Sequence, residues 1–349
     1  MKSFFNNIRI SHIVTALPKQ VLEMNSLNNV FEQDLDQVTK HTGVERIHVA
    51  PEGLCTSDLS EAAARYIFEK FSVDPKSIGA IVFVSQTPDY IFPPTSTILQ
   101  NKLGLSKDIP AFDINYGCSG YIYGIFQAAL LLNTGSCEKV LVLAGDTLTK
   151  YINEKDRSLR VLIGDGSSAS IVEKGDSSMH FCIKTDGSGH QHVIIPAGGN
   201  RLPKNEKTGI VEEKEFNNFR SEENFFMNGM EVMNFALKEV PPMLESILAY
   251  SSWKKEEVGF FGLHQANKFL VEYVSKKAKL KPELVPISVQ NFGNTSPATI
   301  PLMLTDQHER LRAEGRLKKA ILCGFGVGLS LGAIALDLSE TKFAGPIEV

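Results

Sequence analysis

Cys118 stands in AFDINYGCSGYIYG, directly after a short apolar run and directly before a helical pattern. A thiol at such a strand-to-helix turn is a candidate nucleophile. The helix N-terminus favours the thiolate, and its free backbone N–H groups can hold a developing oxyanion. Gly117, Ser119 and Gly120 leave room for a substrate beside it. A cysteine can equally pack as a small buried hydrophobe, so the thiol needs partners before it reads as chemistry. Two are available: His264, in HQAN after the run VGFFGL, and Asn294, in NFGNTSPATIP. Alone, the histidine reads as structural and the asparagine as a turn residue beside glycine. Together, Cys, His and Asn suit acyl transfer through a thioester, with a thiolate attacking, an imidazole acting on protons and an amide donating to an oxyanion.

Two glycine-bearing stretches need sorting from nucleotide loops. Gly324-Phe325-Gly326-Val327-Gly328 would need a further glycine at Leu329 to match GxGxxG, and too little chain follows it for a βαβ unit. Its glycines instead suit a close approach of backbone to a ligand near Cys118. Gly164-Asp165-Gly166-Ser167-Ser168 lacks the GK[ST] of a phosphate loop and reads as a turn before the strand ASIVEK.

The elements that must position these residues follow from hydrophobic pattern. Three short, nearly continuous apolar runs, Ala80–Val84, Ala111–Ile114 and Val140–Leu143, read as strands, and Tyr121 to Leu132 carries apolar residues at helical spacing. Strands alternating with helices predict a parallel α/β sheet covered on both faces. The second half echoes the first: KSIGAIVFVSQ (76–86) resembles KEEVGFFGLHQ (255–265), and KVLVLAGD (139–146) resembles KAILCGFG (319–326). Cys118 lies 39 residues after Gly79, and Asn294 lies 35 after Gly259. An internal duplication of an α/β half accounts for this order, and it sets Cys118 and Asn294 face to face with His264 on the adjacent strand end. The expected division is a first half over 1–185 with the cysteine, a polar connecting segment over 186–229 shaping the mouth of the site, and a second half over 230–349 with His264 and Asn294.

Composition removes several other classes. The 349 residues carry 36 Lys+Arg against 40 Asp+Glu, a net charge of −4, which speaks against nucleic acid as a partner. Hydrophobic residues at 43% and charged ones at 22% are those of a globular protein. The five cysteines are odd in number and form no CxxC, so neither a disulfide framework nor a zinc site is expected, and a reducing, cytoplasmic setting fits. The N-terminal residues carry no secretory signal pattern. The uncharged run Ala320–Leu336 is 17 residues long and holds four glycines, so it reads as two buried strands around a bend rather than a membrane span.

Taken together, AFDINYGCSG, GDGSSASIV, HQAN, NFGNTS and GFGVG, in that order, resemble the thiolase-fold condensing enzymes, above all β-ketoacyl-acyl-carrier-protein synthase III. The resemblance implies a duplicated α/β fold in five α-β-α-β-α layers. It implies Cys118 as the acylated nucleophile, with His264 and Asn294 as the oxyanion hole for a malonyl thioester that loses carbon dioxide. The backbone amides of Cys118 and Val327 would hold the acyl thioester oxygen. It further implies a homodimer in which Phe92 of IFPPTS gates the partner's acyl pocket, and Lys276 and Lys277 as the docking patch for an acidic acyl carrier protein. Arg157 matches one side of the family's coenzyme A clamp, but Gln37 and His41 replace its tryptophan and a second arginine. Delivery on a carrier protein is therefore expected ahead of acyl-CoA, with no tightly bound cofactor and no metal. The depth of the acyl pocket would depend on Phe92, Tyr121, Phe225 and Phe226. The competing activity on the same residues is transfer of the acyl group from Cys118 to an O, N or S acceptor without carbon–carbon bond formation.

Overall fold

The structure is a computed structural model that describes residues 1–31 and 35–349. Nine strands form one mixed sheet, here β1 (Lys2–Leu17), β2 (Ala80–Val84), β3 (Ala111–Ile114), β4 (Lys139–Asp146), β5 (Gly166–Thr185), β6 (Phe260–Leu263), β7 (Ala320–Gly326), β8 (Ser330–Leu336) and β9 (Lys342–Glu348). The order is β6-β7-β8-β5-β4-β2-β3, with β1 antiparallel to β5 and parallel to β9. Strand β5 belongs to both halves. Its first residues pair with β4 and its last ones with β8. Register breaks in β1 at Asn6/Ile8 and Ile10/His12 accompany this passage from one half to the other.

The alternation of side chains along the strands builds the layers. Val82, Val84, Val140 and Val142 on one half, and Phe260, Leu322 and Ile334 on the other, share a buried cluster with Ile122 and Ile125 of α1 (Gly120–Asn133) and Ile300 and Met303 of α2 (Thr299–Ala313). These two helices are therefore the central layer. The opposite strand faces, Ile81, Phe83, Leu141 and Leu143, are covered by Leu59, Ala63 and Ile67 of the helix Thr56–Lys70. Phe261, Leu263, Ile321 and Cys323 are covered by the helices Gly229–Ser251 and Lys268–Lys277. The result is the expected α-β-α-β-α stack. Strands covered on both faces carry near-continuous apolar runs, and for that reason their bounds stand out in the sequence.

The two halves repeat to the level of single hydrogen bonds. A 3₁₀ turn at Pro75–Ser77 leads into β2, and one at Lys255–Glu257 leads into β6. The N–H of Gly79 donates to Lys139 O at 2.8 Å, and that of Gly259 donates to Lys319 O at 2.8 Å. Ala80 pairs with Val140 as Phe260 pairs with Ala320, both in parallel ladders. The run Ala320–Leu336 is the antiparallel pair β7 and β8. Among the described residues no helix is long and apolar enough to cross a membrane.

Candidate active site

Cys118 lies between β3 and α1, where the chain turns so tightly that Gly120 N–H donates to Gly117 O at 2.6 Å. A Cβ on Gly117 would sit 2.2 Å from Gln86 Oε1 and 2.8 Å from Val327 Cγ1, so a larger residue there would have to push these side chains aside. The neighbouring Ser119 lies 2.6 Å from Ser330 through their hydroxyls, which ties the turn to the second half. The β7–β8 turn then presses onto the sulfur. A Cβ on Gly326, where φ is +154°, would lie 2.7 Å from the Cys118 Cβ.

His264 extends β6 by one residue, its N–H donating to Cys323 O at 2.8 Å. Nδ1 of the ring lies 2.6 Å from Thr299 Oγ1. The same hydroxyl lies 3.0 Å from Ser296 O, a carbonyl that can accept from it as well as from the Thr299 backbone N–H. A hydroxyl that donates to Ser296 O accepts from Nδ1–H and leaves Nε2 an acceptor, whereas one that donates to Nδ1 leaves Nε2 protonated. Burial lowers the imidazole pKa to about 3, so the ring is neutral. The rest of HQAN is structural. Gln265 clips Leu263 O, Pro286 O and Ser288 N–H, and Asn267 caps the helix Lys268–Lys277 by accepting from Leu270 N–H at 2.7 Å.

Asn294 is held by the first half. It forms an isolated parallel bridge with Ile163: Asn294 N–H donates to Leu162 O at 2.8 Å, and Gly164 N–H donates to Asn294 O at 3.1 Å. Both motifs need glycine for this approach, because a Cβ at Gly164 would meet Phe292 O at 2.3 Å and one at Gly293 would meet Leu162 O at 2.5 Å. Asn294 Oδ1 accepts from Ser296 N–H at 3.0 Å, so the amide's NH₂ is the end left for a ligand. Asp165 serves as an anchor, accepting from Ala50 N–H and from both the N–H and hydroxyl of Thr149.

Cys118, His264 and Asn294 line one cavity, together with Gln86, Ser296, Phe325 and Val327. Its remaining walls are mostly apolar and include Leu148, Leu162, Val193, Phe225 and Met227. Residues of the connecting segment thus form part of the cavity. That segment is fixed by Phe225 N–H on Tyr151 O and by the buried pair Arg220–Asp156 at 3.4 Å. The Phe325 ring meets the His264 ring edge-on, with centroids 5.4 Å apart.

The thiol departs from its expected state. Burial pushes Cys118 up to about 11, against the pull of the Val327 and Cys118 backbone N–H groups and the Ser296 hydroxyl, and the negative charge of Asp146 adds to the rise. The helix N-terminus therefore does not by itself produce a resting thiolate. Those two backbone N–H groups are the ones expected to hold the acyl oxygen, and both bear on the sulfur.

Other expected residues lie elsewhere. Tyr121 is wholly buried in the core, its hydroxyl 3.0 Å from that of Ser170, and so lines no acyl pocket. Phe226 packs under Arg220, 4.9 Å from its guanidinium, while its neighbour Phe225 faces the cavity. Phe92 is 81% exposed, next to Ile91 and Tyr90, and does not reach the cavity of its own chain. Arg157 is half-buried on the short helix Arg157–Arg160, outside the cavity wall. Lys276 and Lys277 are exposed beside Tyr273 in a separate shallow hollow. His41 stacks on Phe269, a residue of the cavity wall, at 4.4 Å. Among the described residues no cluster of His, Cys, Asp or Glu could hold a metal ion.

Comparison with known proteins places this geometry in context. The family profile for 3-oxoacyl-(acyl-carrier-protein) synthase III matches residues 112–187, and that for its C-terminal part matches residues 248–338. A putative 3-oxoacyl-(acyl-carrier-protein) synthase 3 of Campylobacter jejuni is 32% identical over 97% of this chain and 96% of that protein. A β-ketoacyl-(acyl-carrier-protein) synthase III of Caldanaerobacter subterraneus is 32% identical over 93% and 96% respectively. The crystal structure of a 3-oxoacyl-(acyl-carrier-protein) synthase from Burkholderia xenovorans superimposes with a TM-score of 0.92 at 33% identity, covering 100% of this chain and 99% of that one.

Proposed function

Because the chain belongs to the 3-oxoacyl-(acyl-carrier-protein) synthase III family, we propose that it joins an acyl group, carried on Cys118, to a malonyl-type thioester by decarboxylative Claisen condensation. The observation that carries this reading is the paired orientation of His264 and Asn294. Oδ1 of Asn294 is occupied by Ser296 N–H, and a Thr299 hydroxyl that donates to Nδ1 of His264 makes Nε2–H the second neutral donor for the cavity that Cys118 enters. Such a pair stabilises an enolate oxygen, the charge that develops when a malonyl thioester loses carbon dioxide.

The reaction proceeds in two halves. Cys118 first attacks an acyl thioester, whose carbonyl oxygen rests on the N–H groups of Cys118 and Val327, and the carrier thiol leaves. The malonyl thioester then enters with its carbonyl oxygen on His264 Nε2–H and Asn294 NH₂. The electrons of the broken C–CO₂ bond pass into that carbonyl, and the resulting enolate attacks the Cys118 thioester to release the β-ketoacyl product. His264 acts as a hydrogen-bond donor and not as an acid, in keeping with its lowered pKa.

The halves work only together, because the nucleophile comes from 1–185 and both donors from 230–349, with the 186–229 segment forming one cavity wall. An acyl carrier protein docks at Lys276 and Lys277 and delivers both substrates, with acyl-CoA an alternative donor near Arg157. The exposed apolar tip Tyr90-Ile91-Phe92 suits burial against a second copy in a cytoplasmic homodimer, where Phe92 would close the partner's acyl pocket. Intact-protein mass spectrometry after incubation with acyl thioesters of graded length tests the first half. An acyl adduct that is absent in Cys118→Ala is expected, and an adduct elsewhere in the chain would refute the assignment.

A further inference from the structure

Asp146 ends β4 with its carboxylate wholly buried, and the chemistry above gives it no role. Its Oδ1 accepts from the Ser85 hydroxyl at 2.9 Å, Gln86 N–H at 2.7 Å and the Thr87 hydroxyl at 3.3 Å. Its Oδ2 is buried with no partner inside normal hydrogen-bonding distance. A buried carboxylate oxygen left this way is costly, and such an atom calls for an explanation. From the opposite half, Ser296 closes on this spot: a Cβ on Gly117, next to Cys118, would lie 3.0 Å from Ser296 Oγ, Ser296 and Cys118 line the same cavity, and the Ser296 hydroxyl acts on both the carboxyl and the thiol. Ser296 is itself 2% exposed, lines the cavity and holds a left-handed backbone at φ 56°. Every hydrogen-bond partner of Asp146 is a hydroxyl or a backbone N–H, and the titratable group that shares its environment is the thiol.

We infer that Ser296 and Asp146 form the proton path of Cys118, with Oδ2 of Asp146 as the acceptor. The inference rests on the reading that Cys118 is acylated. On acylation the Sγ–H bond breaks, the proton passes to Ser296 Oγ, and the Ser296 hydroxyl proton passes to Oδ2. The new Sγ–C bond forms as the C–S bond to the carrier breaks, and the leaving thiolate takes a proton from solvent. On condensation the Sγ–C bond breaks as the carbon–carbon bond forms, and the Cys118 thiolate recovers its proton from Asp146 through Ser296. Burial raises the Asp146 carboxyl to about 6, which suits a group that must accept and return a proton near neutrality.

Single-turnover acylation of Cys118, followed by intact-protein mass spectrometry across the neutral pH range, tests this in Asp146→Asn and Ser296→Gly, alongside the alkylation pH profile of the thiol. Both variants are expected to acylate on the order of 100-fold more slowly at pH 7. In Asp146→Asn that loss is expected even though removing a negative charge makes the thiol more acidic. A purely electrostatic role predicts the opposite, faster acylation in Asp146→Asn, and that result overturns the path. So does wild-type acylation by Ser296→Gly, which suits the positive φ and decides the matter alone where Asp146→Asn does not fold. If the wild-type chain itself takes no acyl group on Cys118, the functional reading beneath the path fails instead.

Discussion

Thr299 Oγ1 lies 2.6 Å from Nδ1 of His264 and 3.0 Å from Ser296 O, and a donor role for Nε2 requires the hydroxyl proton on the ring side. The contact sets which imidazole nitrogen can donate into the cavity. Thr299→Val keeps the shape and removes the donor. Decarboxylation of a malonyl thioester should then fall by about tenfold, the equivalent of one ordinary hydrogen bond, while acylation of Cys118 stays at its wild-type rate. Thr299→Ser should restore decarboxylation. Equal losses in both halves would show that Thr299 serves packing alone.

The neutral state of His264 has its own signature. With the ring held to about 3, no histidine titration should shape the condensation rate between about pH 5 and 8. An acid limb centred near 6.5 that disappears in His264→Gln would contradict a neutral donor.

Gly326→Ala should abolish acylation while leaving the fold intact. The added methyl lands 2.7 Å from Cys118 Cβ and 2.9 Å from Sγ, at a φ of +154° that side chains rarely adopt. Thiol alkylation and acylation, read beside circular dichroism, check this. Normal acylation would mean that the β7–β8 turn does not confine the sulfur as described.

A pH dependence of stability follows from His12, buried beside Phe71 with Nε2 unpartnered and with its pKa lowered to about 4 by burial first and Lys342 second. The unfolded chain binds one more proton at this site between about pH 4 and 6.5. The contribution is therefore whole above 6.5 and is lost as pH falls toward 4. His12→Phe should flatten the decline in unfolding free energy over that window by up to about 1.4 kcal/mol per pH unit. Asp146 and Asp165, both raised to about 6 chiefly by burial, act in the opposite sense but are common to both proteins. Denaturant unfolding at several pH values measures the difference, and parallel curves would refute it.

What could be read from the sequence divides along physical lines. Ala80–Val84 is legible because burial on both faces leaves an unbroken apolar run, whereas Ala111–Ile114 is a half-exposed edge strand that carries Asp113 and stands out only by its place before the helix. Asn294 was found through its spacing, since duplicated halves place equivalent turns at one end of the sheet. Ser296, Thr299 and Asp146 were missed, because hydrogen bonds between residues far apart in the chain leave no period to detect. The glycines of GDGSS and NFGNTS read as turn formers, whereas Gly164 and Gly293 let two backbones meet and fix Asn294. The thiol's protonation was misread for a related reason. A helix N-terminus is visible locally, but the burial that outweighs it includes the close approach of Gly326 from the other half. Tyr121 shows the converse case, since its helical spacing alone should have assigned it to the core with Ile122 and Ile125.

Single-turnover mixing of the Cys118 acyl-enzyme with a malonyl-carrier thioester, counting carbon dioxide released and β-ketoacyl product formed, bears most directly on the account. One carbon dioxide and one ketoacyl product per acyl-enzyme are expected. Asn294→Ala, fully acylated, should be slower by about 10²- to 10³-fold, the cost of losing one oxyanion donor. Transfer of the acyl group to an added alcohol, amine or thiol with no carbon dioxide released, or an Asn294→Ala variant that condenses at the wild-type rate, would contradict it.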